Sequence, residues 1–177
     1  MDSSKAKFAR TLAGLLLAAG LAACAAEVVP PSKPTFYNDL ASPDVALDAN
    51  AAASMISGYR ANNSLEAVTL DPELTRLADA QARAMVARDK LDRNAGGAFA
   101  ARLKGSGYDP KRAAENVSAG YHTLAEAFSG WRDSPPHRAN MLLKGATKMG
   151  IAAVYAPNSK YKVFWCLILA APDDKHG

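Results

Sequence analysis

This sequence is poor in the residues from which most catalytic and metal sites are built. It has two cysteines, Cys24 and Cys166, and three histidines, His122, His137 and His176. No paired-cysteine spacing for zinc is present, and neither G-x-S-x-G nor H-E-x-x-H occurs, so ready-made hydrolase and metalloprotease motifs are missing. Charge of one sign is also scarce. The formal net charge is +4, and removing Asp2, Lys5, Lys7 and Arg10 with a leader halves it. The remaining excess is scattered and makes no case for nucleic-acid binding. Internal repeats, low-complexity segments and a second domain are absent too.

What is present begins with a targeting segment. Lys5, Lys7 and Arg10 precede an apolar run, Leu12 to Ala23, that is too short to span a bilayer. Residues 1–23 therefore read as a signal peptide. The run ends Leu21-Ala22-Ala23-Cys24, which resembles a bacterial lipobox. That resemblance implies cleavage before Cys24 and acylation of its thiol; ordinary cleavage beside an incidental cysteine is the alternative. Each buried methylene contributes about 0.8 kcal/mol, so several acyl chains would anchor the chain stably. Ala25 after the cysteine fits export onward to an outer membrane, facing the periplasm. With Cys24 acylated, Cys166 has no partner for an intramolecular disulfide. Residues 24–45, with Pro30, Pro31 and Pro34, read as a tether, on which Phe36 and Tyr37 are candidates for docking.

Residues 46–172 read as one domain with a real core, followed by a tail over 173–177. A first helix is expected from about Asp48 to Arg60, with Ala52, Met55, Ile56 and Tyr59 on one face. Asp71-Pro72-Glu73 starts a second, because an N-cap, a first-turn proline and a first-turn acid coincide. Its stripe is Leu74, Leu77, Ala78, Gln81, Met85 and Arg88, ending near Lys90. A short third helix spans Phe99 to Lys104, stopped by Gly105-Ser106-Gly107. Two strands follow later, Met149 to Tyr155 and Tyr161 to Ala170, around turn chemistry at 156–160. The second is apolar without alternation, as in a strand covered on both faces. Cys166 falls within it and reads as a small core residue.

Between these parts lies the stretch that carries the chemistry. Thr123-Leu124-Ala125-Glu126 is a T-x-x-E capping box, which should start a helix reaching about Asp133. Pro135-Pro136 ends that helix and opens another through Leu142, with His137 in its first turn. Ala114-Glu115-Asn116 precedes them and reads as a loop. Leu124, Phe128 and Trp131 share one face of the capped helix and form a core stripe.

Ala114-Glu115-Asn116, with Trp131-Arg132-Asp133-Ser134-Pro135-Pro136-His137-Arg138, resembles the CAP superfamily of cysteine-rich secretory proteins, antigen 5 and pathogenesis-related 1 proteins, in its small bacterial branch. The likeness extends from about Ala46 to Ala171. It implies an α+β fold, a three-layer α-β-α sandwich around a mainly antiparallel sheet, which agrees with the strands and helices read above.

In better-known members a central cleft holds two histidines and two acids that can bind a divalent metal. The resemblance places Glu115 and His137 there and puts Arg93 where the first histidine would fall. A second acid has no secure counterpart, although Asp133 and Glu126 lie nearby. Arginine offers no lone pair, so Glu115 and His137 alone form an incomplete metal site, and no cofactor is expected. Arg93, Glu115 and His137 are instead expected to form a polar cluster joining loop to helix, with Asn116 satisfying loop backbone. Arg138 and Asn140 should cap or pair locally, and His122 should lie beside the cap.

Three functions remain open. One is a non-enzymatic envelope lipoprotein, expected to be a monomer, whose cleft of Arg93, Glu115, Asn116, His137 and Arg138 binds a small apolar or cell-wall ligand. The second is a hydrolase with His137 as base and Glu115 as its orienting acid. The third is a structural or interaction module with a closed cleft.

Overall fold

The structure is a computed structural model, and it describes residues 33–172. Five helices and four strands follow in chain order: α1 Ala49–Ala61, β1 Thr69–Leu70, α2 Pro72–Ala87, α3 Phe99–Gly105, β2 Arg112–Ala119, α4 Leu124–Asp133, α5 Pro135–Met141, β3 Lys148–Tyr155 and β4 Val163–Ala171. The caps fall where the local chemistry puts them. The Ala51 amide donates to Asp48 Oδ1 and the Leu74 amide to Asp71 Oδ1, each at 2.9 Å. Thr123 and Glu126 complete a reciprocal capping box at the start of α4. Cys24 and His176 lie outside the described residues.

The sheet runs β1-β3-β4-β2. Its two long pairings, β3–β4 and β2–β4, are antiparallel, whereas the two-residue β1 pairs parallel to β3, so the sheet is mixed. β4 is buried along its whole length. Successive side chains of a strand point to opposite faces, and β4 divides accordingly. Trp165, Leu167 and Leu169 join α1, α4 and α5 in one cluster, where Trp131 meets Trp165 edge-on. Phe164, Cys166, Ile168 and Ala170 join α2 and α3 on the other face. That is the three-layer sandwich.

Gly150 explains how closely one layer approaches. A Cβ there would overlap the Leu74 backbone, so only glycine lets α2 lie directly on β3.

Two expectations shift. Part of the segment read as a tether over 24–45 belongs to the fold. Leu40 is buried and donates its amide to the His122 carbonyl, Phe36 packs against the α1–α4 core, and Thr35 hydroxyl donates to Asp48. Those apolar anchors and hydrogen bonds outweigh the extended bias of the prolines. Arg88, assigned to the buried stripe of α2, is exposed beyond the helix end, where it faces Asp92 at 3.6 Å.

Candidate functional site

Glu115 and Asn116 do not lie in a loop. They sit inside β2, where Glu115 pairs in register with Ile168 and Asn116 with Leu167. The segment Arg112–Ala119 has little apolar alternation, so its pairing with β4 rather than its pattern makes it a strand. The consequence is geometric: neighbours on a strand face opposite ways, and Glu115 and Asn116 serve different layers.

Asn116 ties β2 to α5. Its Nδ2 donates to the His137 carbonyl at 2.9 Å. Asn140, one turn further along α5, donates from Nδ2 to Asn116 Oδ1 at 2.8 Å and to the Glu115 carbonyl at 3.0 Å. Asn140 was expected to pair locally; instead it bridges two elements. The backbone of the helix that carries His137 is therefore fastened to the strand that carries Glu115.

The Glu115 carboxylate turns toward α3. Arg102 donates from Nη2 to Glu115 Oε1 at 2.6 Å, with the two side chains 9% and 1% exposed. Arg102 is held from two further directions: Nε donates to the Gly97 carbonyl at 3.1 Å, and the guanidinium lies 5.3 Å from the Phe99 ring centre. Cys166, in register with Val117 two residues along β2, donates its thiol to the same Glu115 oxygen at 3.3 Å. Burial first, and then the Glu115 charge and hydrogen bond, push the Cys166 pKa well above its usual value. It is a thiol hydrogen-bond donor rather than a nucleophile. Arg102 Nη1 and Glu115 Oε2 are buried without a partner.

The expected Arg93–Glu115–His137 cluster is thus corrected: the cation on Glu115 is Arg102. Nothing in the sequence marked it, because α3 and β2 meet only in the tertiary fold. Arg93 stays at the rim. Buried Gln81 of α2 donates to the carbonyls of Asp92 and Arg93 and accepts from the Gly96 amide, which fixes that loop. The Arg93 charge is felt by His137. Partial burial, and secondarily Arg93, hold the His137 pKa below its ordinary value. The imidazole is consequently neutral near pH 7, yet no hydrogen bond joins it to Glu115.

Other candidates are dispersed. Glu126 belongs to the capping box, Asp133 pairs with Arg132 at 2.8 Å, and His122 sits beside the cap with its amide on Glu126. Arg138 is exposed. Among the described residues no group of three or more His, Cys, Asp or Glu side chains is placed to hold a metal ion. The donor set itself does not fit a divalent cation, since the one cleft carboxylate already carries a guanidinium and a second cation stands at the rim. A general base in this cleft would also lack its orienting acid.

Comparisons with known proteins place this geometry. The profile of the cysteine-rich secretory protein family, CAP, matches residues 53–169. A comparison with curated proteins finds no match. Among solved structures, the chain is similar to an outer surface protein of Borrelia burgdorferi, with a TM-score of 0.63, 16% identity, and coverage of 71% of this chain and 93% of that one. It is similar to an extracellular SCP-domain protein of Bacillus anthracis (0.59, 20% identity, 68% of this chain and 39% of that one). A cysteine-rich secretory protein of Staphylococcus aureus gives 0.57 at 16% identity, over 69% of this chain and 37% of that one. The chain therefore spans about two fifths of the length of these last two. At such identities the likeness concerns the fold, and the family match over residues 53–169, most of the described residues, supplies the family. This chain belongs to the CAP family of cysteine-rich secretory proteins.

Proposed function

We propose that this protein is an exported, non-enzymatic CAP module, carried on the cell envelope by a lipid at Cys24, whose cleft is closed and serves as a structural lock. One observation carries the reading: the Glu115 carboxylate is 1% exposed and engaged by Arg102 at 2.6 Å. A hydrolytic cleft needs a carboxylate that orients the base or meets the substrate, and this one does neither. Ser134 offers no alternative nucleophile, because it sits at the α4–α5 junction with no base on its hydroxyl. The basic leader, the short apolar run and the lipobox-like Leu21 to Cys24 support export and anchoring, and the extracellular and outer-surface relatives accord with them.

Incubation of the full chain with peptidoglycan and with a mixed peptide library, read by mass spectrometry, tests the non-enzymatic part. No product above blank is expected. Release that disappears in His137→Ala would overturn the reading. The anchor has its own test: an acyl mass on the N-terminal peptide at Cys24, with Cys24→Ala moving the protein out of the membrane fraction. An unmodified Cys24 would remove that half of the proposal.

A further inference from the structure

The closed cleft leaves open where such a module binds anything. The side of α3 that carries Phe99 and Leu103 supplies an answer. There Phe99, Leu103 and Ala113 line a cavity of about 570 Å³, within the range typical of small-molecule pockets. Leu103 is buried, and Phe99 and Ala113 are half-buried, so the apolar surface is built into the domain rather than displayed as a loose patch.

The rim has one dominant sign. Lys104, Lys111 and Arg112 border the cavity, against the single carboxylate of Asp109. Among the described residues neither lysine forms an ion pair, and Arg112 donates only to the Lys144 carbonyl, at 3.0 Å. Three cations without carboxylate partners beside an apolar floor are matched by a ligand with an apolar body and a negative head. Tyr108 stands between floor and rim. Burial, and next the Asp71 charge, push its phenol up to about 12, so it remains an O–H donor at neutral pH.

We propose that this cavity binds a small anionic amphiphile, with its apolar body against Phe99, Leu103 and Ala113 and one carboxylate or phosphate head among Lys104, Lys111 and Arg112. The site lies outside the Glu115–His137 cleft, and Phe99 stands between the two, its ring 5.3 Å from the Arg102 guanidinium that engages Glu115. It goes beyond the non-enzymatic reading, and neither proposal depends on the other. Because rim cations are solvent-exposed, binding weakens as salt rises.

The test uses the full mature chain carrying Cys24→Ala and the fluorescent anionic probe 1-anilinonaphthalene-8-sulfonate. Laurate and dodecyl phosphate supply the two head groups, dodecanol the body alone, and inorganic phosphate a head alone. Saturable one-to-one probe binding is expected, displaced by laurate or by dodecyl phosphate at concentrations at least tenfold below dodecanol or phosphate. Which of the two displaces better identifies the head. Lys104→Glu with Lys111→Glu should weaken probe binding at least tenfold. Ala100→Trp, which fills the cavity from an exposed position on α3, should abolish it in a chain that melts normally. Dodecanol displacing as well as laurate, or unchanged probe binding in both variants, would overturn the proposal. So would the absence of saturable binding.

Discussion

Two arginines are buried in this domain, one in each helical layer, and they are accommodated in opposite ways. Arg60 of α1 has no carboxylate partner. Its Nε donates to the Glu66 carbonyl, Nη1 to Met141 and Leu143, and Nη2 to Ala146, at 2.7–3.0 Å. Burial pulls its pKa below the ordinary guanidinium value, yet arginine remains charged. Arg102 of α3 meets the charge of Glu115 but leaves Nη1 unpartnered, and Glu115 Oε2 with it. The first arginine is a satisfied clamp on the chain after α5. The second is a charge-neutralising lock with unused hydrogen-bonding capacity. Full satisfaction of a buried ion by carbonyls can serve a fold as well as charge pairing does, and a pair of opposite charges is no guarantee of satisfaction.

The comparison is broken most severely at Arg60. Arg60→Met leaves four buried or half-buried carbonyls without their donor, and a loss of about 4 kcal/mol or more is expected in urea unfolding. Glu115→Ala strands the Arg102 charge and should cost about 3–5 kcal/mol. Pairing Arg102→Met with Glu115→Leu should recover most of that loss, because it removes both charges together. A double variant as unstable as the worse single would show that the pair is valued for its packing rather than its charge.

Smaller effects sharpen the picture on the other face of β2. Asn140→Ala deletes the two donations to Glu115 and Asn116, and about 1–2 kcal/mol is expected from its melting curve. Least in energy is the rim. His137 has its pKa lowered in the folded state, so the unfolded chain takes up this proton first. Its contribution is complete above about pH 6.5 and is lost as pH falls below that value. Arg93→Gln should raise the His137 pKa in an NMR titration of its ring protons. An unchanged titration would assign the whole depression to burial.

Helix starts were legible because the groups that decide them are neighbours in sequence. Asp48, Asp71 and Thr123 each cap amides within three residues, and Pro135 opens α5 as its fixed backbone angle requires. The apolar run of β4 likewise announced a strand covered on both sides. β2 was read as a loop, since Arg-Ala-Ala-Glu-Asn carries no alternation and its partner lies some fifty residues on. With the strand unrecognised, the opposite facing of Glu115 and Asn116 could not be read either. The family resemblance drew attention to Glu115, Asn116 and His137, while the cation expected on Glu115 was Arg93 and the one that engages it is Arg102.

By itself, then, the sequence determined the capped helix starts, the doubly covered strand and the family, all of which depend on short-range spacing. Only the tertiary structure decided which cation meets Glu115. Arg102 lies thirteen residues away on another element, and no local rule distinguishes it from Arg93. The choice was made by packing α3 over the Glu115 face of β2, where an unpaired carboxylate would have been too costly to bury.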